Sequence, residues 1–240
     1  MSGHSHWSGI KHKKGIEDAK RAKVFAKMAR FIVIAARGKG GNPDMNPALR
    51  MAIEKARAAN MPADNIERAI KRGTGEGLEE TLEGFLYEAF APGGAAVLIE
   101  GITDNKNRTL SEVRKIISDQ GGRMAEQGSV QWMFERKGLI TLSKDAPENS
   151  SSDAEMRIID AGAEDIRQSD EHINVYTAPD KVMEVKKRLD EVGIKVESAG
   201  FDYVPKMLGP APDEKIKQKL EEFFEALDEH DDVQEIYSNI

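Results

Sequence analysis

Lysine and arginine recur at helical spacing through the first third of this 240-residue chain. At about 100° per residue, Lys20, Lys23, Lys27, Arg30 and Arg37 fall within one arc, with Ala22, Phe25, Ala29, Ile32 and Ala36 on the opposite side. Ile34 intrudes on the basic arc and Arg21 lies off it. One face of such a helix packs into a core and the other presents a rail of cations. A polyphosphate needs cations at intervals on a rigid support, and each neutralised phosphate releases counterions, so affinity falls steeply with salt. Further on, Arg68, Lys71 and Arg72 stand beside the apolar Ile66, Ala69 and Ile70. Arg50 and Arg57 lie a heptad apart, with Glu54 spaced to pair with Arg50. Ahead of all these, Lys11, Lys13 and Lys14 follow Trp7 in a glycine-rich arm. That arm is suited to wrapping a groove, with Trp7 stacking on an exposed base. A hydrophobic clasp pinning the arm to the helices suits Trp7 equally well.

Other chemistry finds little support. With no cysteine there is no disulfide, thiolate ligand or cysteine nucleophile. His4, His6 and His12 have a metal-binding side chain but no zinc-site spacing, and a glycine-rich arm would not preorganise them. Gly38-Lys39-Gly40-Gly41 resembles part of a phosphate loop, yet it follows a helix and lacks the Gly-Lys-Ser/Thr ending. His172 and His230, and acidic pairs such as Asp231-Asp232 and Glu221-Glu222, read as solvated surface. No nucleophile elbow, His-Glu-x-x-His, kinase or dinucleotide signature occurs. The expectation is a protein with no catalytic residue, no metal ligand and no cofactor.

The elements that must position the cations are legible from caps and breakers. A helix starts near Glu17 and Asp18 and runs to about Arg37, ended by Gly38, Gly40, Gly41 and Pro43. Asn46-Pro47 reads as an N-cap followed by proline at the first helical position, opening a helix to about Ala59. A third runs from Pro62 to Arg72, with Gly73 as its stop. Beyond them the patterns alternate. Strand-like runs occupy Leu86–Phe90, Ala95–Ile102, Leu139–Leu142, Ile173–Thr177 and Lys195–Tyr203. Helical runs occupy Asn107–Asp119, Asp153–Ala161, Asp180–Val192 and Asp213–Glu229, and a short strand closes the chain at Val233–Tyr237. From Phe134 to Pro205 the order reads β-α-β-β-α-β, the ferredoxin-like arrangement. The expected fold is therefore α+β. A basic three-helix domain spans 1–77. A discontinuous α/β domain spans 78–133 and 206–240, and a ferredoxin-like domain spanning 134–205 is inserted in it.

Charge divides along the same lines. Residues 1–75 carry sixteen Lys/Arg and six Asp/Glu, a balance of +10, which leaves 19 basic and 36 acidic residues, −17, for the rest. Such asymmetry points to a polyanion partner for the basic part. No eighteen-residue apolar run marks a transmembrane helix, and the opening residues have neither signal-peptide nor transit-peptide character. A cytoplasmic protein is expected, and with no sustained heptad seam, a monomer.

These same segments resemble the YebC/PmpR family. Gly3-His4-Ser5-His6-Trp7, Ile10 to Lys14, and Asp18-Ala19-Lys20-Arg21 are similar to its N-terminal motif. So are Asn46-Pro47, Ala52 to Ala56, Asn60-Met61-Pro62 and Asn65 to Gly73. Farther along, Tyr87-Glu88, Pro92-Gly93-Gly94, Thr103-Asp104-Asn105, Asn107-Arg108-Thr109 and Gly128-Ser129-Val130 with Trp132 and Phe134 continue the match. The chain departs from the family at Ala89, at Phe90-Ala91 before the Pro-Gly-Gly turn, and at His6, where lysine is commoner. The resemblance implies three domains and a regulator without catalysis, a DNA-binding transcriptional regulator. The alternative it carries is a ribosome-associated translation factor on rRNA or tRNA. A metal-dependent hydrolase built on the acidic part is a minor third reading. The residues expected along phosphates are Lys11, Lys13, Lys14, Lys20, Lys23, Lys27, Arg30, Arg68, Lys71 and Arg72, with Trp7 stacking. Asn105, Lys106, Asn107 and Arg108 form a candidate RNA or partner loop.

Overall fold

Asn46 and Pro47 begin a helix for the reason their types suggest. The Asn46 side chain accepts the Leu49 N–H at 3.1 Å, and proline occupies the position whose N–H would go unused. The computed structural model describes residues 18–75, 82–151, 153–169 and 172–240, with side chains from Arg21 onward. Three helices come first: α1 (Asp18–Lys39), α2 (Pro47–Ala58) and α3 (Ala63–Gly73). Ile32, Val33, Ala36, Leu49, Ile53, Ala56, Ile66 and Ala69 form their shared core. Leu82 and Ile102 join that core from the following domain, so the helices rest directly on it.

Gly73 works differently from the expected helix stop. It lies inside α3, where a Cβ would meet both the Ala36 Cβ and the Val33 carbonyl oxygen at 2.6 Å. Its missing side chain lets α3 lie against α1, and Thr74 takes the capping position instead.

Two four-stranded antiparallel sheets follow. β1 (Glu83–Phe90) and β2 (Ala96–Thr103) form a hairpin around Pro92-Gly93-Gly94, with φ +79° and +81° at the two glycines. α4 (Lys106–Asp119) leads to the two-residue β3 (Arg123–Met124). The chain then makes β4 (Phe134–Ser143), α5 (Ala154–Asp160), β5 (Asp165–Gln168), β6 (His172–Thr177), α6 (Val182–Glu191) and β7 (Val196–Pro205). It returns through α7 (Glu214–Asp228) and β8 (Val233–Ser238) to the first sheet. The strand orders are β3-β1-β2-β8 and β5-β6-β4-β7. The second is the ferredoxin-like order; the first is the same order with its third strand moved to the front of the chain. The fold is α+β, as expected from the sequence.

Helices α4 and α7 cover one face of the first sheet over Val97, Ile99, Val113, Ile117, Phe223 and Leu227. Its other face packs Ala96, Leu98 and Tyr237 on Val130 and Phe134 from the connecting segment, with Tyr203 of β7 alongside. Helix α2 bridges to the second sheet. Met51 enters that sheet's core and Glu54 pairs with Lys186 of α6 at 3.2 Å, while Lys55 pairs with Glu235 of β8 in the first sheet. Glu54 therefore does not neutralise Arg50, which instead donates to the Pro43 and Asp44 carbonyls.

Candidate nucleic-acid interface

The basic arc of α1 exists, and most of what can be described of it faces protein. Lys27 is 5% exposed, and its ammonium donates to the Asp228 carboxylate at 2.9 Å and the Asp228 carbonyl at 2.8 Å. Lys23 donates to the Glu229 carbonyl. These are the last carbonyls of α7, the negative end of a helix, where a cation is favoured. Arg30 reaches the Ile102 and Asp231 carbonyls and the Asp232 carboxylate, the last at 2.5 Å. The expectation that Lys23, Lys27 and Arg30 lie along phosphates is corrected to this extent: here they fasten α1 to the end of α7. Helical spacing gave the arc correctly. It could not show that an acidic helix end, two hundred residues away, would occupy it.

Asp232 is the centre of that junction. Its side chain is 3% exposed and accepts from Arg30, from Arg108 at 2.8 Å and from the Thr109 hydroxyl at 2.6 Å. Burial alone would raise its pKa, but the hydrogen bonds from Thr109, Arg108 and Arg30 outweigh it and bring the carboxyl down to about 2. His230 and Glu112 join at the rim. The Asp232 N–H donates to His230 Nδ1, so Nε2 carries the ring proton and donates to Glu112 at 3.0 Å. Among the described residues, Glu112, His230 and Asp232 form the one group whose ligand atoms lie close enough for a metal. Two guanidiniums already hold Asp232, so the group is built as an ion-pair network. Sequence reasoning missed Asp232 and His230 because a solvated acidic pair and a buried one look alike in sequence.

Asn105 to Arg108, expected as a loop, is the start of α4. Asn105 caps the helix by accepting the Arg108 N–H at 3.1 Å. Lys106 pairs with Glu83 at 2.8 Å, and Arg108 with Asp104 and Asp232. Both cations of the stretch are thus engaged by carboxylates, while Asn105 and Asn107 stay exposed.

On α3 the picture differs. Ile66, Ala69 and Gly73 are buried, while Arg68, Lys71 and Arg72 lie exposed on the other side. Arg68 hydrogen-bonds within its own helix, to Asn65 and the Asp64 carbonyl. The end of α3 meets the end of α1, since a Cβ on Gly41 would lie 3.1 Å from Ile70 and 2.8 Å from Thr74. Arg37 and Lys39 near the end of α1 are exposed as well, and Arg37 donates to the Leu82 carbonyl at 3.3 Å. Trp7, Lys11, Lys13 and Lys14, the Lys20 side chain, and His4, His6 and His12 lie outside the described residues.

Comparison with known proteins accounts for nearly the whole chain. Residues 5–76 match the family model described as the TACO1/YebC protein N-terminal domain, and residues 82–240 match the TACO1/YebC second and third domain. A probable transcriptional regulatory protein of Thermotoga maritima is 50% identical over 239 residues, covering 100% of this chain and 93% of that protein. One of the same description from Halothermothrix orenii is 46% identical, with 100% and 94% covered. The crystal structure of a conserved hypothetical protein of Aquifex aeolicus superposes with a TM-score of 0.88 at 44% identity, covering 98% of this chain and 96% of that one. Among the described residues, no helix is long and apolar enough to cross a membrane.

Proposed function

The chain belongs to the TACO1/YebC family, and from that premise we propose that it is a non-enzymatic regulator of gene expression that binds nucleic acid through its helical domain. The carrying observation is the exposed row of Arg68, Lys71 and Arg72 on α3, with Lys39 exposed at the end of α1. Their helices are packed, so the backbone positions that carry the cations are fixed before binding. The arm residues Lys11, Lys13, Lys14 and Trp7, with Lys20, extend this surface in the proposal. Lys23, Lys27 and Arg30 are left out of it, because reaching phosphate would mean breaking the α1–α7 junction. The acidic remainder of the chain repels phosphate and so favours one orientation on a polyanion. The description of the relatives as probable transcriptional regulators supports duplex DNA as the target.

The test is a binding titration of the whole protein at several salt concentrations, against duplex DNA and against ribosomes at equal phosphate. Three α3 contacts alone give a log–log salt slope of about −2.7 on duplex, and three arm lysines steepen it to about −5.4. Sequence-dependent binding to duplex supports a transcriptional regulator. Tighter, salt-resistant binding to ribosomes redirects the same cations to ribosomal RNA. No binding to either refutes the reading.

A further inference from the structure

Away from the helical domain, the segment joining β3 to β4 holds up an aromatic ring on a braced support. Trp132 is 64% exposed, and its indole N–H donates to the Ser129 carbonyl at 2.9 Å, which fixes the ring. The backbone beneath it is held by Glu88, a carboxylate only 3% exposed. Glu88 accepts the Gly128 and Val130 N–H groups at 2.5 Å and the Gln131 N–H at 2.9 Å. A buried carboxylate satisfied by three backbone donors pins a loop firmly, because leaving any of them unmade is costly. Val130 and Phe134, on either side of the ring, are buried in the core beneath the first sheet. The loop is therefore built to present Trp132, since a ring seeking burial has apolar neighbours on both sides and does not join them.

A cation stands at the Trp132 backbone. Lys206 continues the β4–β7 pairing, with its N–H donating to the Met133 carbonyl at 2.9 Å, and its ammonium donates to the Trp132 carbonyl at 3.0 Å. That ammonium is exposed and has further donors to offer. Arg123, also exposed, has its guanidinium carbon 4.2 Å from the Phe90 ring centre, and Phe90 packs on the same core as Val130 and Phe134. Met207 and Leu208, 73% and 54% exposed, follow Lys206 directly. In a part of the chain with a large excess of acid, an exposed indole with the Lys206 ammonium bound to its own backbone carbonyl has the makings of a nucleotide subsite.

The geometry points to Trp132 as the stacking platform for an unpaired base of single-stranded nucleic acid, with Lys206 serving a flanking phosphate. This inference rests on the proposed nucleic-acid-binding function and adds a second contact with a different preference. The α3 edge needs only phosphates and accepts duplex. The Trp132 platform needs a base with a free face, which a duplex does not offer.

The chain has two tryptophans, so Trp7→Phe leaves Trp132 as the sole indole fluorophore. In that background, unlabelled twelve-nucleotide single strands of RNA and of DNA, and the matching duplexes, are titrated while indole emission is followed. Anisotropy of labelled copies reports total binding in parallel. The expected result is quenching by single strands and not by duplexes. Adding Trp132→Ala should weaken single-strand binding by about five- to 150-fold, the range for loss of one base–aromatic stack. Duplex affinity should not move, and Trp132→Phe should restore most of the single-strand affinity. Binding seen by anisotropy with Trp132 emission unchanged would overturn the platform alone and leave the patch to an apolar protein partner. An absence of binding of the wild-type protein to every oligonucleotide, read by the same anisotropy, would overturn both this inference and the reading it rests on.

Discussion

Replacing Asp232 with asparagine tests the junction between the helical domain and α7. The wild-type carboxylate holds Arg30, Arg108 and Thr109 at once, and its carboxyl titrates at about 2 in place of the ordinary 3.8. At about 1.36 kcal/mol per pKa unit, that difference is about 2 kcal/mol of folding free energy. The asparagine side chain would still offer an oxygen to one partner but no charge to either guanidinium. Both arginines keep some exposure, 29% and 43% of the side chain, so water recovers part of what they lose. The expected cost at neutral pH is therefore about 2 kcal/mol, below the roughly 3–5 kcal/mol of a fully buried broken pair. The sign with pH follows from a depressed pKa. The stabilisation is fully present above about pH 4 and is lost as pH falls toward about 2. Urea unfolding followed by far-ultraviolet circular dichroism, for wild type and Asp232→Asn at about pH 7, 4 and 2.5, measures this. The gap between the two proteins should be largest at neutral pH and shrink toward the acid end. Equal midpoints at neutral pH, or a gap that stays constant on acidification, would refute the account of Asp232 as a charged clasp.

Other perturbations separate surface from support. Arg68→Glu with Lys71→Glu should weaken duplex binding and flatten the salt slope by about 2, with stability within about 0.5 kcal/mol of wild type, read by anisotropy and urea titration. Lys27→Glu should do the reverse of a surface change: it places a second carboxylate beside Asp228 and the end of α7, so stability falls by about 3 kcal/mol or more, and any loss of binding tracks unfolding. Gly73→Ala forces a Cβ to within 2.6 Å of Ala36 and the Val33 carbonyl, so α1 and α3 must part at a cost of about 1–3 kcal/mol, seen as a lowered melting temperature. Glu88→Gln replaces one acceptor oxygen with an amide donor facing backbone N–H groups, and amide exchange at Gly128, Val130 and Gln131 should accelerate while exchange in α1 does not.

Much of the fold was legible in the sequence because its signals are local. The Asn46-Pro47 cap, the Pro92-Gly93-Gly94 turn and the alternating strand patterns depend on residues within a few positions of one another, and the structure uses each as its type suggests. β3 at Arg123–Met124 left no such signal, and β5 at Asp165–Gln168 had no run of its own and entered only through the β-α-β-β-α-β order, since two to four residues are too few to establish a period. The cations were legible as cations, and on α3 their exposure follows from the apolar positions beside them. What local pattern could not determine was the destination of the α1 rail. Lys23, Lys27 and Arg30 have the spacing of a phosphate-binding face, and the same spacing serves equally well for the carbonyls and carboxylates at the end of α7. Asp232 and Trp132 show the same limit from opposite sides. An acidic residue that looks solvated is buried between two arginines, and a tryptophan between the buried Val130 and Phe134 is held out in water. The sequence by itself determined most of the helices and the longer strands and where positive charge accumulates, because those depend on neighbours along the chain. Only the tertiary structure decided which charges are consumed inside the protein and which face outward, because Coulomb attraction and burial act across space between residues that the chain keeps two hundred positions apart.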